Sequence, residues 1–447
     1  MSNLNQLSAA EAARLILAGQ ASSVELVQDC LTRIRDHDAT VKAWAHLDED
    51  YVLEQARQSD TLRRSGASVG PLHGVPVGVK DIFDTQDFPT ECGSPLYAGR
   101  RTIEDAAAVA RLREAGVVVL GKTVTAELAG MSPGPTTNPH DPERTPGGSS
   151  SGSAAAVAAY MTPLALGTQT NGSVIRPASY CGVVGYKPTI GLISRHRVLT
   201  TSSNLDQVGV FARTLEDAAL MAEAMVGFDA RDKDTCLRPH PSLAAKCHEA
   251  PPMPPRLAFV KGPAWGQCDA STCEAFGELV EVLGEHVEEV DIDDVYDEVF
   301  DWHRRVMEAD IARNLGQLSD RAGDKMSDTL KATIARGRDV RAVDYTLAQD
   351  RMTMFADGFD EVLTKYDAII TPAATGEAPV GLTATGNPAC ATLWTFTGMP
   401  ALSLPLLVGE AGLPLGVQLV SRRHDDARLF RNAAWLEKYI QGMAEGA

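Results

Sequence analysis

Pro146-Gly147-Gly148-Ser149-Ser150-Ser151-Gly152-Ser153 is a glycine- and serine-rich loop that runs straight into a small, alanine-rich apolar stretch, Ala154 to Ala159. A second glycine-flanked serine follows in Gly167-Thr168-Gln169-Thr170-Asn171-Gly172-Ser173, and Val174-Ile175 resumes an apolar run. Loops flanked this closely by buried-looking segments are not flexible linkers. Neither G-x-G-x-x-G nor G-x-x-x-x-G-K-[ST] can be read in them, so they are not standard nucleotide-binding loops. In the second turn Asn171 and Gly172 both tolerate positive φ, so consecutive N–H groups can point at one spot. A tetrahedral oxyanion needs such a cluster of donors. A plain glycine turn between strand and helix would have the same composition.

Around these loops strand and helix patterns alternate. Residues 75 to 80 predict a buried strand, 104 to 115 a helix closed by Gly116, and 117 to 120 the next strand. Strand patterns recur at 163–167 and 182–186, and a helix opens at Thr214. The alternation predicts a layered α/β fold with a largely buried sheet. The first 60 residues read as helices, because Ser8-Ala9-Ala10-Glu11 and Ser22-Ser23-Val24-Glu25 both fit the capping box. Residues 228 to 256, rich in Asp and Pro, read as a long surface connection. A helical region from 270 to 365 is interrupted by the acidic stretch 291–297; strand patterns return at 367–372, 394–407 and 416–420 before a last helix at 425–443. Strands on both sides of the helical stretch predict one domain over 1–447, closed by both ends of the chain. Its parts are N-terminal helices (1–60), a core (61–227), a variable, mainly helical pocket region (228–365) and the C-terminal part of the core (366–447).

A formal net charge of −18 speaks against nucleic acid, whose phosphates need clustered Lys and Arg, and against an anionic membrane surface. No segment approaches the ~18 consecutive apolar residues of a membrane span, and Met1 to Gln6 lacks the regions of a signal peptide. The eight scattered cysteines read as reduced thiols. The expectation is a cytoplasmic enzyme acting on a small molecule.

A serine hydroxyl is a weak nucleophile and needs a base. No histidine lies near either serine in sequence; His140 and His196 sit in polar, loop-like settings. Lys80 ends the apolar run Val75 to Val79, where burial would depress its pKa and leave a neutral amine. Pairing with Asp81 or Asp84, or snorkelling from the strand end, would instead make it structural.

These residues together resemble the amidase signature family. The match runs through Gly74 to Asp81, Thr145 to Gly152, Gly167 to Pro177, Cys181 to Pro188, Leu205-Asp206, Gly209 to Arg213, Thr371-Pro372 and Gly398 to Ala401, and is weakest between about 228 and 365. The resemblance implies a single α/β/α layered domain around a large mixed β-sheet, often homodimeric. It implies Ser173 as acylated nucleophile, Ser149 as relay after a cis peptide bond, and Lys80 as base. The backbone N–H groups of Thr170, Asn171, Gly172 and Ser173 would form the oxyanion hole, with Ser150 and Thr168 in support. Gln169 stands where the family usually has an acid, and Asn171 where it usually has glycine. Arg176, three residues after the nucleophile, is similar to the arginine that anchors a substrate carboxylate in the family's malonamidases; a structural salt bridge is its other reading.

The implied reaction is hydrolysis of a linear amide to an acid plus ammonia or amine, with no metal or organic cofactor. His303 and Arg304 on a predicted helix are candidate substrate contacts, and Trp394 and Phe396 a candidate apolar wall. The alternative within the family is a glutamine-hydrolysing amidotransferase A-type subunit working with partner proteins. It reads as the weaker one, because that subunit's central and C-terminal segments are not recognised here and an acidic surface offers tRNA little.

Overall fold

The computed structural model describes residues 3–446. Met1 and Ser2, part of the segment read for a leader, lie outside them, as does Ala447. Eleven strands form one mixed sheet: β1 (Trp44–Leu47), β2 (Pro76–Lys80), β3 (Val118–Thr123), β4 (Leu164–Gln169), β5 (Val184–Lys187), β6 (Gln207–Ala212), β7 (Leu257–Phe259), β8 (Val287–Glu289), β9 (Ala368–Pro372), β10 (Ala401–Val408) and β11 (Pro414–Val420). Their order across the sheet is β1-β3-β2-β4-β6-β5-β10-β11-β9-β7-β8. β2 lies parallel to both β3 and β4, whereas β4, β6, β5, β10, β11 and β9 pair antiparallel in succession.

The helices are α1 (Ala9–Leu17), α2 (Ser23–Val41), α3 (Glu49–Arg64), α4 (Ala107–Glu114), α5 (Ser151–Ala158), α6 (Ile175–Cys181) and α7 (Leu215–Met225). They continue with α8 (Leu243–His248), α9 (Ala270–Leu283), α10 (Val299–Ala322), α11 (Asp328–Arg338), α12 (Ala342–Val362), α13 (Ala389–Phe396) and α14 (Asp426–Gly446).

Successive strand residues face opposite sides of a sheet, and the burial of these strands follows that rule. Val208, Val210 and Ala212 of β6 join one apolar cluster with Leu215, Ala218 and Ala222 of α7 and Leu429, Phe430 and Ala433 of α14. Phe211, between them, joins Ala154, Val157 and Ala178 of α5 and α6 on the other face. Likewise Ile370 of β9 faces the α7 side, while Ile369 packs with Val306 of α10 and Phe355 of α12. The sheet is therefore covered on both faces, as the alternating pattern predicted. Each fully buried Val, Leu, Ile or Phe of this kind stabilises the fold by about 1.5–3 kcal/mol. Asp426 fastens the chain end to the sheet by accepting from the Tyr186 hydroxyl (2.6 Å), the Thr189 amide (2.9 Å) and the Thr189 hydroxyl (2.6 Å).

Three local expectations need correction. Residues 1–60 are not purely helical, because β1 separates α2 from α3 and pairs with β3. Its four residues were too short a run to register as a strand, and only the β3 edge makes them one. Trp394 and Phe396 do not open a strand; they end α13, and the strand begins at Ala401. The expected surface connection at 228–256 also contains the short helix α8, which packs Leu243 and Cys247 into the core.

Gly152 shows why the serine loop is built from small residues. A Cβ there would sit 2.3 Å from the Ala43 carbonyl oxygen and 2.4 Å from the Val124 amide nitrogen. Gly147 takes φ +81° with the Pro177 Cα packed against it, a conformation that side chains other than glycine adopt rarely.

Candidate active site

β2 and β4 run parallel, so their C-terminal ends reach the same edge, where ligands of open α/β sheets commonly bind. Lys80 is the last residue of β2 and is wholly buried. Its Nζ donates to Ser149 Oγ (2.9 Å) and Thr168 Oγ1 (2.8 Å). Neither acid that could have made it structural reaches it. Asp81 pairs with the buried Lys122 at 3.0 Å, and Asp84 with Arg100 at 2.8 Å. With no carboxylate bonded to it, burial dominates and pulls the lysine down to about 7, opposed mainly by the negative field of Asp206. The neutral amine is therefore within reach near neutrality.

The Gly148–Ser149 peptide is cis. Ser150, the next residue, accepts from the Thr168 amide (3.3 Å) and donates to the Thr168 carbonyl (3.2 Å), locking the loop to the strand that carries Lys80's second partner.

The Ser173 turn is held from behind. Gln169 Oε1 accepts from the amides of Val174 (2.8 Å) and Ile175 (3.0 Å), and its Nε2 donates to Thr395 Oγ1 (2.8 Å). Thr395 in turn donates to the Asn171 carbonyl, and Thr392 donates to Asn171 Oδ1 (2.7 Å). His303 donates through Nε2 to the Thr170 carbonyl (3.0 Å). Desolvation lowers that buried imidazole to about 4, so it is neutral at pH 7. The Thr170 hydroxyl bonds Asp206 (2.6 Å), whose carboxylate also accepts from Thr201 and Ser202. Burial raises the Asp206 carboxyl against these hydrogen bonds. The carbonyls of Thr170, Asn171 and Gly172 and the side chains of Thr170 and Asn171 are engaged, Ser173 Oγ has no hydrogen-bond partner among the described residues, and the amides of Asn171, Gly172 and Ser173 find no acceptor among them. An amide donor left free by a rigid turn is what an oxyanion hole requires.

Gln169 therefore does what an acid would do for the Val174 and Ile175 amides, without adding a charge. Nothing local in the sequence pointed to Thr392 or Thr395 in this network, since their partners in the turn lie more than 220 residues away, and Asp206 stood in the Leu205-Asp206 motif with no role attached. The turn's rigidity is testable through Thr395→Val. We expect kcat to fall about 10- to 100-fold with KM little changed, as read by steady-state kinetics, because sub-ångström placement of the donors is lost. An unchanged kcat would show that Gln169 alone suffices.

A cavity of about 530 Å³ opens onto Asn171, Gly172, Ser173 and Arg176. His303 and Arg304 both line it, and Arg304 also pairs with Asp301. Trp394 and Phe396 do not. Both are buried in the core behind α13, against Phe359 and Phe355 respectively.

Arg176 fits neither of its expected partnerships cleanly. No acid pairs with it among the described residues; its guanidinium donates to the carbonyls of Gly148 and Gly386 (3.0 Å) and to the Thr385 hydroxyl (3.1 Å). Desolvation lowers it to about 10, still protonated at pH 7. The salt bridge is absent, and the fork is occupied by the chain's own oxygens. A second cavity, about 380 Å³, borders Thr168 and Asp206 and touches the first at Ala129 and Thr201; its Arg195 is neutralised by Asp232 at 2.9 Å.

The family model described as Amidase matches residues 25–430. The chain is similar to the A-type subunit of the glutamyl-tRNA(Gln) amidotransferase of Salinispora arenicola (strain CNS-205), 36% identical over 486 residues and covering 98% of each. That match includes the central and C-terminal segments, contrary to the expectation that they would be unlike. Among solved structures it is similar to the A-type subunit of the glutamyl-tRNA(Gln) amidotransferase of Thermotoga maritima (TM-score 0.82, 31% identity, 98% of this chain and 96% of that one). It is similar as well to the native peptide amidase of Stenotrophomonas maltophilia (TM-score 0.85, 27% identity, 98% and 97%).

Proposed function

Since this chain belongs to the amidase family, we propose that it hydrolyses a linear amide through an acyl-enzyme on Ser173, with Ser149 as relay and Lys80 as base. One observation carries this reading: a wholly buried lysine, bonded only to hydroxyls, whose pKa lies near 7. In the proposed sequence Ser173 Oγ attacks the amide carbonyl carbon while its proton passes to Ser149 Oγ, and the Ser149 proton passes to neutral Lys80. The amides of Asn171, Gly172 and Ser173, with that of Thr170 beside them, receive the oxyanion. Collapse of the intermediate breaks the C–N bond, and the leaving amine takes its proton back through Ser149. Water then cleaves the ester by the same relay, releasing the acid and free Ser173. Ser150 and Thr168 hold the relay in place, and no step needs a metal or organic cofactor. We assign Arg176 to bracing the Gly148 carbonyl beside the relay serine, and His303 to bracing the Thr170 carbonyl.

A second reading is favoured by the comparisons: glutamine hydrolysis as one component of an amidotransferase. The curated relatives that match almost the full chain carry that name, whereas free amidases appear among the structural neighbours. The eight free cysteines, five of them buried thiols, support a reducing compartment such as the cytoplasm. Whether the chain self-associates or docks on another protein belongs to the same choice. No helix among the described residues is long and apolar enough to cross a membrane.

The experiment is ammonia release from a panel of primary amides, with hydroxylamine added to intercept the acyl-enzyme as a hydroxamate. Ammonia with hydroxamate formation is expected. Ammonia release without any interceptable acyl group would contradict the acyl-enzyme. Release from L-glutamine alone in the panel would select the amidotransferase reading.

A further inference from the structure

The cavity at Ser173 has a composition that selects among amides. One wall is a face of α10, where Phe300, Met307, Ile311 and Leu315 follow one another at helical spacing. Leu128, Met131 and Leu330 of the facing segments add to the apolar lining. His303 of the same helix touches the catalytic turn at Thr170. Leu315 lies twelve residues further on, so the apolar slot extends about 18 Å along the helix from the reacting centre.

Of the charged groups in the lining, Glu308, Arg336 and Arg304 are paired with opposite charges, and Arg176 gives its terminal nitrogens to neutral oxygens of the chain. Glu308 is buried and holds Arg336 through two hydrogen-bonding contacts, Nε–Oε1 at 2.8 Å and Nη2–Oε1 at 2.6 Å. Arg304 has Asp301. Arg176 spends its terminal nitrogens on Gly148, Thr385 and Gly386. An α-amino acid amide needs an acid for its ammonium and a cation for its carboxylate. Among the described residues this cavity offers no acid that is not already paired. An unpaired ammonium and carboxylate in such a slot would lose their hydration without replacement.

We infer that the acyl group accepted here is a medium-length, uncharged apolar chain running along α10, and that L-glutamine is a poor substrate. This rests on the amide-hydrolysis reading of the same site. Each methylene buried in the slot contributes about 0.8 kcal/mol, which corresponds to about fourfold in kcat/KM.

Two measurements test it separately from the reaction itself. The first is kcat/KM for acetamide, butyramide, hexanamide and octanamide beside L-glutamine and L-asparagine. We expect a rise of about fourfold per methylene up to the length that fills the slot, with glutamine at least 100-fold below hexanamide. The second is calorimetric binding of the same amides to Ser173→Ala, which needs no turnover and should show the same order. Ile311→Phe, checked for an unchanged melting temperature, should depress octanamide and spare butyramide in both assays; Leu315→Ala, which only removes bulk, should favour the longer amide. Binding that rises with chain length without turnover would sustain the apolar slot and sink the hydrolytic reading. Turnover of glutamine above hexanamide, or binding that is flat with chain length, would overturn the inference and leave the hydrolytic reading standing.

Discussion

Ser173→Ala is expected to lower kcat/KM for every amide by about 10,000-fold or more, because the other hydroxyl of the turn, that of Thr170, is bonded to Asp206. Losses of that size follow removal of the nucleophile from serine hydrolases, where the remaining groups cannot substitute for it. Stability should change by less than about 0.5 kcal/mol, since one oxygen is removed from a residue at the cavity surface. Ammonia release and thermal unfolding on the same preparation separate the two effects. Residual activity above about one per cent would mean that Ser149 or a water molecule attacks instead. In that case the acyl-enzyme assignment fails.

Lys80→Met is expected to lower kcat/KM by about 100- to 10,000-fold, the range that a positioned base contributes. The pH profile carries more information than the magnitude. Burial disfavours the charged amine, so Lys80 loses its proton at about 7. Only the neutral form can accept a proton from Ser149. Wild-type kcat/KM should therefore rise with pH through about 7 and level off above it, and the variant should lose that limb. A stability signature accompanies it. Between about 7 and the ordinary lysine value of 10.5 the unfolded chain holds a proton here that the folded chain does not. Stability rises with pH wherever the unfolded state binds more protons. Relative to Lys80→Met, the wild type should thus gain stability across that window. An acid limb that persists in Lys80→Met would assign the titration to another group.

Much of the candidate site was legible because its parts are local. The strand ending at Lys80, the loop around Ser149 and the turn at Ser173 each announce themselves through backbone chemistry: an apolar run before a charge, glycine where a side chain would collide, residues that tolerate positive φ. Those requirements act within a few residues, so they leave a mark in the order of amino acids. Arg176 was legible as a position and not as a role. Its neighbours Thr385 and Gly386 lie some 210 residues away in the chain, and no local pattern encodes them. Trp394 and Phe396 show the opposite failure. An aromatic pair beside β-forming residues resembles a strand, but Phe355 and Phe359 of α12 provide a core surface that a helical turn fits better.

The sequence by itself determined the layered α/β plan, the turns with their small residues, and the lysine and two serines proposed to carry the chemistry. Tertiary structure alone decided the rest: that Lys80 meets hydroxyls and no acid, that Thr392, Thr395 and His303 clamp the Ser173 turn, and that α10 lines the cavity with an apolar face. The division has a physical cause. Conformational preferences and burial patterns are set by near neighbours along the chain, whereas a pKa, a free amide or a pocket wall depends on which distant groups arrive in space and which water they displace.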